Sequence, residues 1–146
     1  MADINEHVTI LMVEDDEGHA KLIEKNLRRA GISNKLKHFV TGKQAVDYLF
    51  SGDKTNPAPE QLLMLLDLNL PEMDGFEVLK RVKSNEKTRV IPVIILTTTD
   101  NPREIDRCYE LGCNVYVTKP VEYTSFSEAI KRLGLMLSVV KLPTKS

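Results

Sequence analysis

Four short runs of apolar residues constrain this chain more than anything else in it: 8–13 (Val-Thr-Ile-Leu-Met-Val), 62–66 (Leu-Leu-Met-Leu-Leu), 93–96 (Val-Ile-Ile-Leu) and 115–117 (Val-Tyr-Val). Each is too short to stand as a helix, and none alternates with polar residues. A strand reads that way when both of its faces are covered, as inside a parallel sheet flanked by helices. Segment 35–39 (Lys-Leu-Lys-His-Phe) does alternate, and it suits an edge of the same sheet.

Helical patterns lie between the runs. Ala20, Ile23, Leu27 and Ala30 recur at 3-4-3 spacing, and Gly31 follows as a stop. Thr41 with Gln44 reads as a capping box, as does Asn101 with Glu104, where Pro102 takes the first helical position. Asp74 precedes a third helix that runs to about Lys83. A last helix starts near Thr124, turns Phe126, Ile130, Leu133 and Leu137 toward the core, and ends before Pro143. Five strands alternating with five helices predict an α/β fold: a doubly wound, five-stranded parallel sheet with helices on both faces. Residues 51–60 are polar and rich in turn formers, and they read as an insertion.

The length of 146 residues suits one domain, with a core over about 7–138, the insertion at 51–60 and an extension at 135–146. No output domain is expected. Twenty Lys and Arg against 21 Asp and Glu leave a formal charge of −1, which argues against nucleic acid as the main partner. No apolar run approaches the ~20 residues of a bilayer crossing, and the acidic start is unlike a signal peptide. Cys108 and Cys113 match neither a zinc knuckle nor a redox pair, so a reducing, cytoplasmic setting is expected.

In an open parallel sheet, ligands gather at the carboxyl ends of the strands. After the first run come Glu14, Asp15 and Asp16; after 62–66 comes Asp67, followed by Leu-Asn-Leu-Pro-Glu-Met-Asp-Gly; after 93–96 come Thr97, Thr98 and Thr99; after 115–117 come Thr118, Lys119 and Pro120. Singly, such residues are caps and turn formers, and Asp16 is read as the cap of the first helix. Together they are harder to dismiss. Glu14, Asp15 and Asp67 on adjacent strand ends repel one another unless a cation sits among them. Three carboxylates and Lys119 are brought to neutrality by one divalent ion, and all-oxygen ligands favour Mg²⁺.

These residues resemble the receiver domain of two-component response regulators. Glu14-Asp15 is similar to the family's acidic pair. Asp67 to Gly75 matches the motif D-x-x-L-P-x-M-D-G, Thr97 the switch hydroxyl, Tyr116 the switch aromatic, and Lys119-Pro120 the family's Lys-Pro pair. The resemblance implies a flavodoxin-like (βα)5 receiver fold. It also implies a phosphoryl group accepted on Asp67 from a sensor histidine kinase, and Mg²⁺ held by Asp15, Asp67, the backbone carbonyl of Asn69 and, through water, Glu14. It further implies Lys119 on a phosphoryl oxygen and a cis bond before Pro120. Phosphorylation would then draw Thr97 toward the new oxygens and let Tyr116 rotate inward. The protein is expected to promote its own phosphorylation and dephosphorylation without being an enzyme in the ordinary sense.

Other features narrow the reading. His7, His19 and His38 show no metal-ligand spacing and read as surface or edge residues. Lys21, Lys25, Arg28 and Arg29 give the first helix a basic outer face, either solvated or a docking surface for an acidic kinase. The apolar excess at 135–142 favours a homodimer through the last helix and fifth strand. The insertion, the stretch 97–100 and the stretch 108–116 are similar to single-domain regulators paired with phytochrome-type kinases. Thr98 stands where the family usually has a smaller residue. A phosphorelay intermediate is the alternative role. A haloacid dehalogenase-type phosphohydrolase would need an acid at position 69, which is Asn, and a flavodoxin-type cofactor site would find Glu14 to Glu17 repelling its phosphate.

Overall fold

Continuous apolar strands need cover on both sides, and helices with one apolar stripe supply it. The computed structural model describes residues 7–50 and 61–119, together with Thr124 and Glu128, which are helical. Its elements are β1 (Val8–Val13), α1 (Glu17–Arg29), β2 (Leu36–Phe39), α2 (Gly42–Phe50), β3 (Gln61–Leu66), α3 (Gly75–Ser84), β4 (Val93–Thr97), α4 (Pro102–Leu111) and β5 (Val115–Thr118). The strands form one parallel sheet in the order β2-β1-β3-β4-β5. β2 lies at an edge, as its alternation predicts. The insertion at 51–60, Pro120 and its peptide bond, the apolar stripe of the last helix and the extension at 135–146 lie outside the described residues.

Alternate residues of each strand feed opposite cores. Ile10, Met12, Leu63, Leu65 and Ile94 pack with Ile23 and Leu27 of α1. Leu11, Val13, Met64, Leu66 and Ile95 pack with Ala45, Val78, Leu79 and Cys108 of α2, α3 and α4. β1 and β4 are buried along their whole length. Every strand therefore points its carboxyl end at one edge of the sheet, and the loops that follow meet there.

Helix starts are capped by side chains, but both predicted capping boxes depart from the expected pattern. Asp16 Oδ1 accepts from His19 N at 2.9 Å, and Asp74 Oδ1 from Glu77 N at 2.9 Å. Neither capping box closes fully. Thr41 Oγ1 accepts from Gln44 N, but Gln44 Oε1 accepts from Val40 N rather than from Thr41. Asn101 Oδ1 accepts from Arg103 N, and Glu104 accepts from the Thr99 hydroxyl. Here the return side chain ties down the loop before the helix. Arg28 is also more than part of a basic face: it donates to the carbonyls of Ile32 and Asn34 and holds the α1–β2 loop.

The two cysteines owe their spacing to a helix terminus. Gly112, at φ +108, ends α4 in the left-handed region. Gly112 N donates to Tyr109 O and Cys113 N to Cys108 O, the paired bonds of a Schellman motif. That motif brings an apolar pair together across the helix end, and here the pair is Cys108 and Cys113, both buried in one core cluster. Burial pushes the Cys108 thiol up to about 11 and the Cys113 thiol to about 12. Neither thiol is expected to react with iodoacetamide near pH 8 in the folded protein, and both react after denaturation. Because the folded state holds these protons more tightly, stability falls as pH rises beyond the ordinary thiol value of 9.0. Fast labelling of the native chain, followed by mass spectrometry, would contradict this.

Candidate functional site

The loop ends of β1, β3 and β5 close around a cavity of about 220 Å³. β1 delivers Glu14, buried, and Asp15, exposed; β3 delivers Asp67, buried; the segment after β5 delivers Lys119. The carboxylates of Glu14, Asp15 and Asp67 each offer an oxygen within 4.8 Å of the others. Lys119 Nζ donates to Glu14 Oε1 at 2.5 Å and to Asp67 Oδ2 at 3.1 Å, and its side chain is only 7% exposed. Among the described residues, no ion pair reaches Asp15. Two of the three carboxylates thus share the one ammonium, and the third has none. That shortfall of positive charge suits a hard divalent cation, which oxygen donors of this kind hold.

Electrostatics follow from burial and from this pairing. Burial drives the Glu14 carboxyl above its ordinary value, opposed by the bond from Lys119. Burial pulls the Lys119 ammonium down, but its bond to Glu14 and the charges of Asp67 and Glu14 outweigh that, so it is held above its ordinary value and stays charged. Asn69 N donates to Asp67 Oδ1 at 3.2 Å, fixing the carboxylate from the other side.

The loop after Asp67 is tightly built. Met73 N donates to Pro71 O at 2.8 Å across Glu72, whose φ is +67. A two-residue bond across a left-handed non-glycine residue is the rarer, strained form of γ-turn. The turn folds the motif back so that Gly75 N reaches Leu68 O at 2.9 Å. Gly75 has no room for a side chain, since a Cβ there would lie 2.3 Å from Asp67 O. The start of α3 is pressed against the backbone of Asp67.

Thr97 is fully buried at the end of β4, next to β3, and its Oγ1 has no hydrogen-bond partner among the described residues. Thr98, not Thr97, lines the cavity. Tyr116 donates its hydroxyl to Thr99 O at 2.7 Å, and burial pushes the phenol up to about 12. The ring therefore already reaches the loop after β4.

Asp16 and His19 also line the cavity. His19, read from the sequence as a surface residue, places Nδ1 3.2 Å from Lys119 Nζ. Its position in the first turn of α1, four residues after Asp15, is the signal that points there, since that turn begins at the same sheet edge. His38 on β2 brings Nε2 within 2.7 Å of Glu14 O and, facing a carbonyl, donates.

A doubly wound parallel sheet with an acidic, lysine-bridged cavity at the carboxyl ends of β1, β3 and β5 places the chain among α/β proteins with a strand-end ligand site. Residues 10–131 match the model of the response regulator receiver domain, and the chain belongs to that family of phosphoacceptor signalling proteins. It is similar to a response regulator receiver domain from Rhodospirillum rubrum, at 58% identity over 90% of this chain and 94% of that one, with a TM-score of 0.73. The phosphorylated cyanobacterial phytochrome response regulator RcpA is 33% identical over 87% of this chain and 91% of that one, with a TM-score of 0.72. Response regulator Rcp1 of Synechocystis is 34% identical over 92% of both chains. The Mn²⁺-bound structure of Rcp1 covers 89% of this chain and 91% of that one at a TM-score of 0.69. The resemblance to regulators of the phytochrome type is thus met among its relatives.

Proposed function

We propose that Asp67 accepts a phosphoryl group from the phosphohistidine of a sensor histidine kinase in a Mg²⁺-dependent reaction. The observation that carries this reading is the buried Asp67 carboxylate, held between Lys119 Nζ and Asn69 N, within 4.8 Å of two further carboxylates. A carboxylate oxygen of Asp67 attacks phosphorus, the P–O bond forms as the P–N bond breaks, and the departing imidazole takes up a proton. Phosphoryl transfer of this kind asks mainly for alignment and for charge on the equatorial oxygens. Asn69 N orients Asp67, and Lys119 donates to a phosphoryl oxygen in place of Asp67 Oδ2. Asp15, Asp67, the Asn69 carbonyl and, through water, Glu14 are the residues that would hold Mg²⁺; the ion supplies positive charge at the same oxygens. The groups that favour transfer to Asp67 equally favour transfer onward to water, so the protein promotes both its phosphorylation and its dephosphorylation.

The output in this reading is a change of protein-binding surface. Phosphorylated Asp67 carries about −1.5 to −2 instead of −1. The Thr97 hydroxyl then gains an acceptor, and its shift is passed through the β4–α4 loop to Tyr116, which is bonded to Thr99 O. The kinase is proposed to be of the phytochrome type, in line with the relatives' names, and two copies are proposed to pair through β5 and the helix after it.

The test is exposure of the chain to acetyl phosphate with Mg²⁺, read by intact mass. One labile phosphoryl group is expected, and none when the metal is removed with a chelator. An unmodified chain in saturating Mg²⁺ overturns the proposal.

A further inference from the structure

We infer that His19 is a positioning residue of this site, whose imidazole holds the Lys119 ammonium through Nδ1; the inference rests on the phosphoacceptor reading and adds a part to it. His19 stands in the first turn of α1, where its own N–H bonds Asp16 Oδ1 at 2.9 Å and fixes the turn against the cavity. Its ring lines the cavity that holds Asp67. Nδ1 lies 3.2 Å from Lys119 Nζ and 3.9 Å from Glu14 Oε2.

An ammonium only donates, so the nitrogen facing it must accept and carry no proton, which leaves the ring's proton on Nε2. Lys119 then directs its three N–H bonds at three acceptors on three elements: Glu14 Oε1 at 2.5 Å, Asp67 Oδ2 at 3.1 Å and His19 Nδ1 at 3.2 Å. With the two carboxylates alone, the long lysine stem pivots along the line between them. The third acceptor removes that freedom. An imidazole nitrogen does so without adding a fourth negative charge to a site already short of cations. When the Asp67 bond is exchanged for a phosphoryl oxygen, Glu14 and His19 keep the ammonium aimed, and it stabilises the new charge without reorganising.

The test uses the full chain labelled with ¹⁵N-histidine at about pH 8, where a free imidazole is neutral. His19 is expected to show an unprotonated Nδ1 and a protonated Nε2, and Lys119→Met is expected to move the Nδ1 resonance. In parallel, His19→Leu is expected to slow phosphorylation by acetyl phosphate about tenfold, well short of the ~10²–10³ lost with a direct donor. His19→Asn, whose side-chain oxygen stands where Nδ1 stood, should stay within about threefold of wild type. The His19 side chain is 48% exposed, so neither variant opens the core, and amide spectra check the fold. A protonated Nδ1, a resonance indifferent to Lys119→Met, or equal rates for the Leu and Asn variants overturns the inference. A wild-type chain that takes up no phosphoryl group overturns the functional reading instead, and the tautomer measurement then still decides whether the contact exists.

Discussion

Asp67→Asn is expected to take up no phosphoryl group from acetyl phosphate under conditions that modify the wild-type chain fully, a loss of more than ~10³-fold in rate. The substitution keeps the shape of the side chain and can keep the bond from Asn69 N, so the loop is expected to stay in place. What it removes is the nucleophile. An uncharged amide oxygen attacks phosphorus far more weakly than a carboxylate, and no base stands ready to activate it. The variant also withdraws one of three carboxylates from the cluster and one of the acceptors of Lys119, so divalent cations should bind more weakly. Intact mass reads the first effect, and titration with Mn²⁺, followed by relaxation of water protons, reads the second. Continued phosphorylation of the variant would move the nucleophile to another carboxylate, with Asp15 the first to examine.

Gly75→Ala is expected to destabilise the protein strongly. A Cβ at this position would lie 2.3 Å from Asp67 O and 2.6 Å from Leu68 Cα, and both are backbone atoms that cannot swing aside. The glycine is required for space and not for a left-handed conformation, since its φ is not among the positive values. Separating α3 from the end of β3 breaks the Gly75 N to Leu68 O bond and loosens the packing of Val78 and Leu79. Overpacking of this severity costs about 3 kcal/mol, at the upper end for added methylenes. That corresponds to a fall in Tm of about 10 °C for a chain of this size. Because the displaced atoms belong to Asp67, phosphorylation should slow as well. Gly31→Ala is the control: a Cβ there meets nothing within 4 Å, so only its φ of +89 opposes the change, at about 1 kcal/mol. A Gly75→Ala chain that melts within about 2 °C of wild type would refute the argument from space.

Much of the fold was legible because it rests on short-range rules. The runs at 8–13, 62–66, 93–96 and 115–117 became β1, β3, β4 and β5 with boundaries moved by a residue at most, although β5 lies at an edge and only its Val115 is buried, not covered on both faces as its apolar run suggested. The alternating 35–39 became the edge strand β2. Asp16 and Asp74 were readable as caps because a cap is decided within three residues. The half-closed boxes at Thr41 and Asn101 were not, because where a side chain turns back depends on the loop in front of it. The site divides in the same way. Glu14, Asp15, Asp67 and Lys119 were placed together by one rule about strand ends. His19 escaped that rule because it meets Lys119 across a separation of 100 residues, and only the phase of α1 turns it toward the cavity. The orphaned Thr97 hydroxyl was equally invisible, since the absence of a partner cannot be read from a residue type.

That hydroxyl also bears on how far one modification can tip the molecule. A buried polar group left unsatisfied costs about 1–3 kcal/mol. In the proposed mechanism, the Thr97 hydroxyl, which has no partner among the described residues, would carry such a cost before phosphorylation. Inverting a two-state population from 1:99 to 99:1 takes about 5.5 kcal/mol. Supplying one acceptor to one threonine therefore provides between about a fifth and a half of a full inversion before any other contact changes. On that proposal, a resting state held slightly above its best energy would need only a small push, and Thr97 is where that margin would be kept.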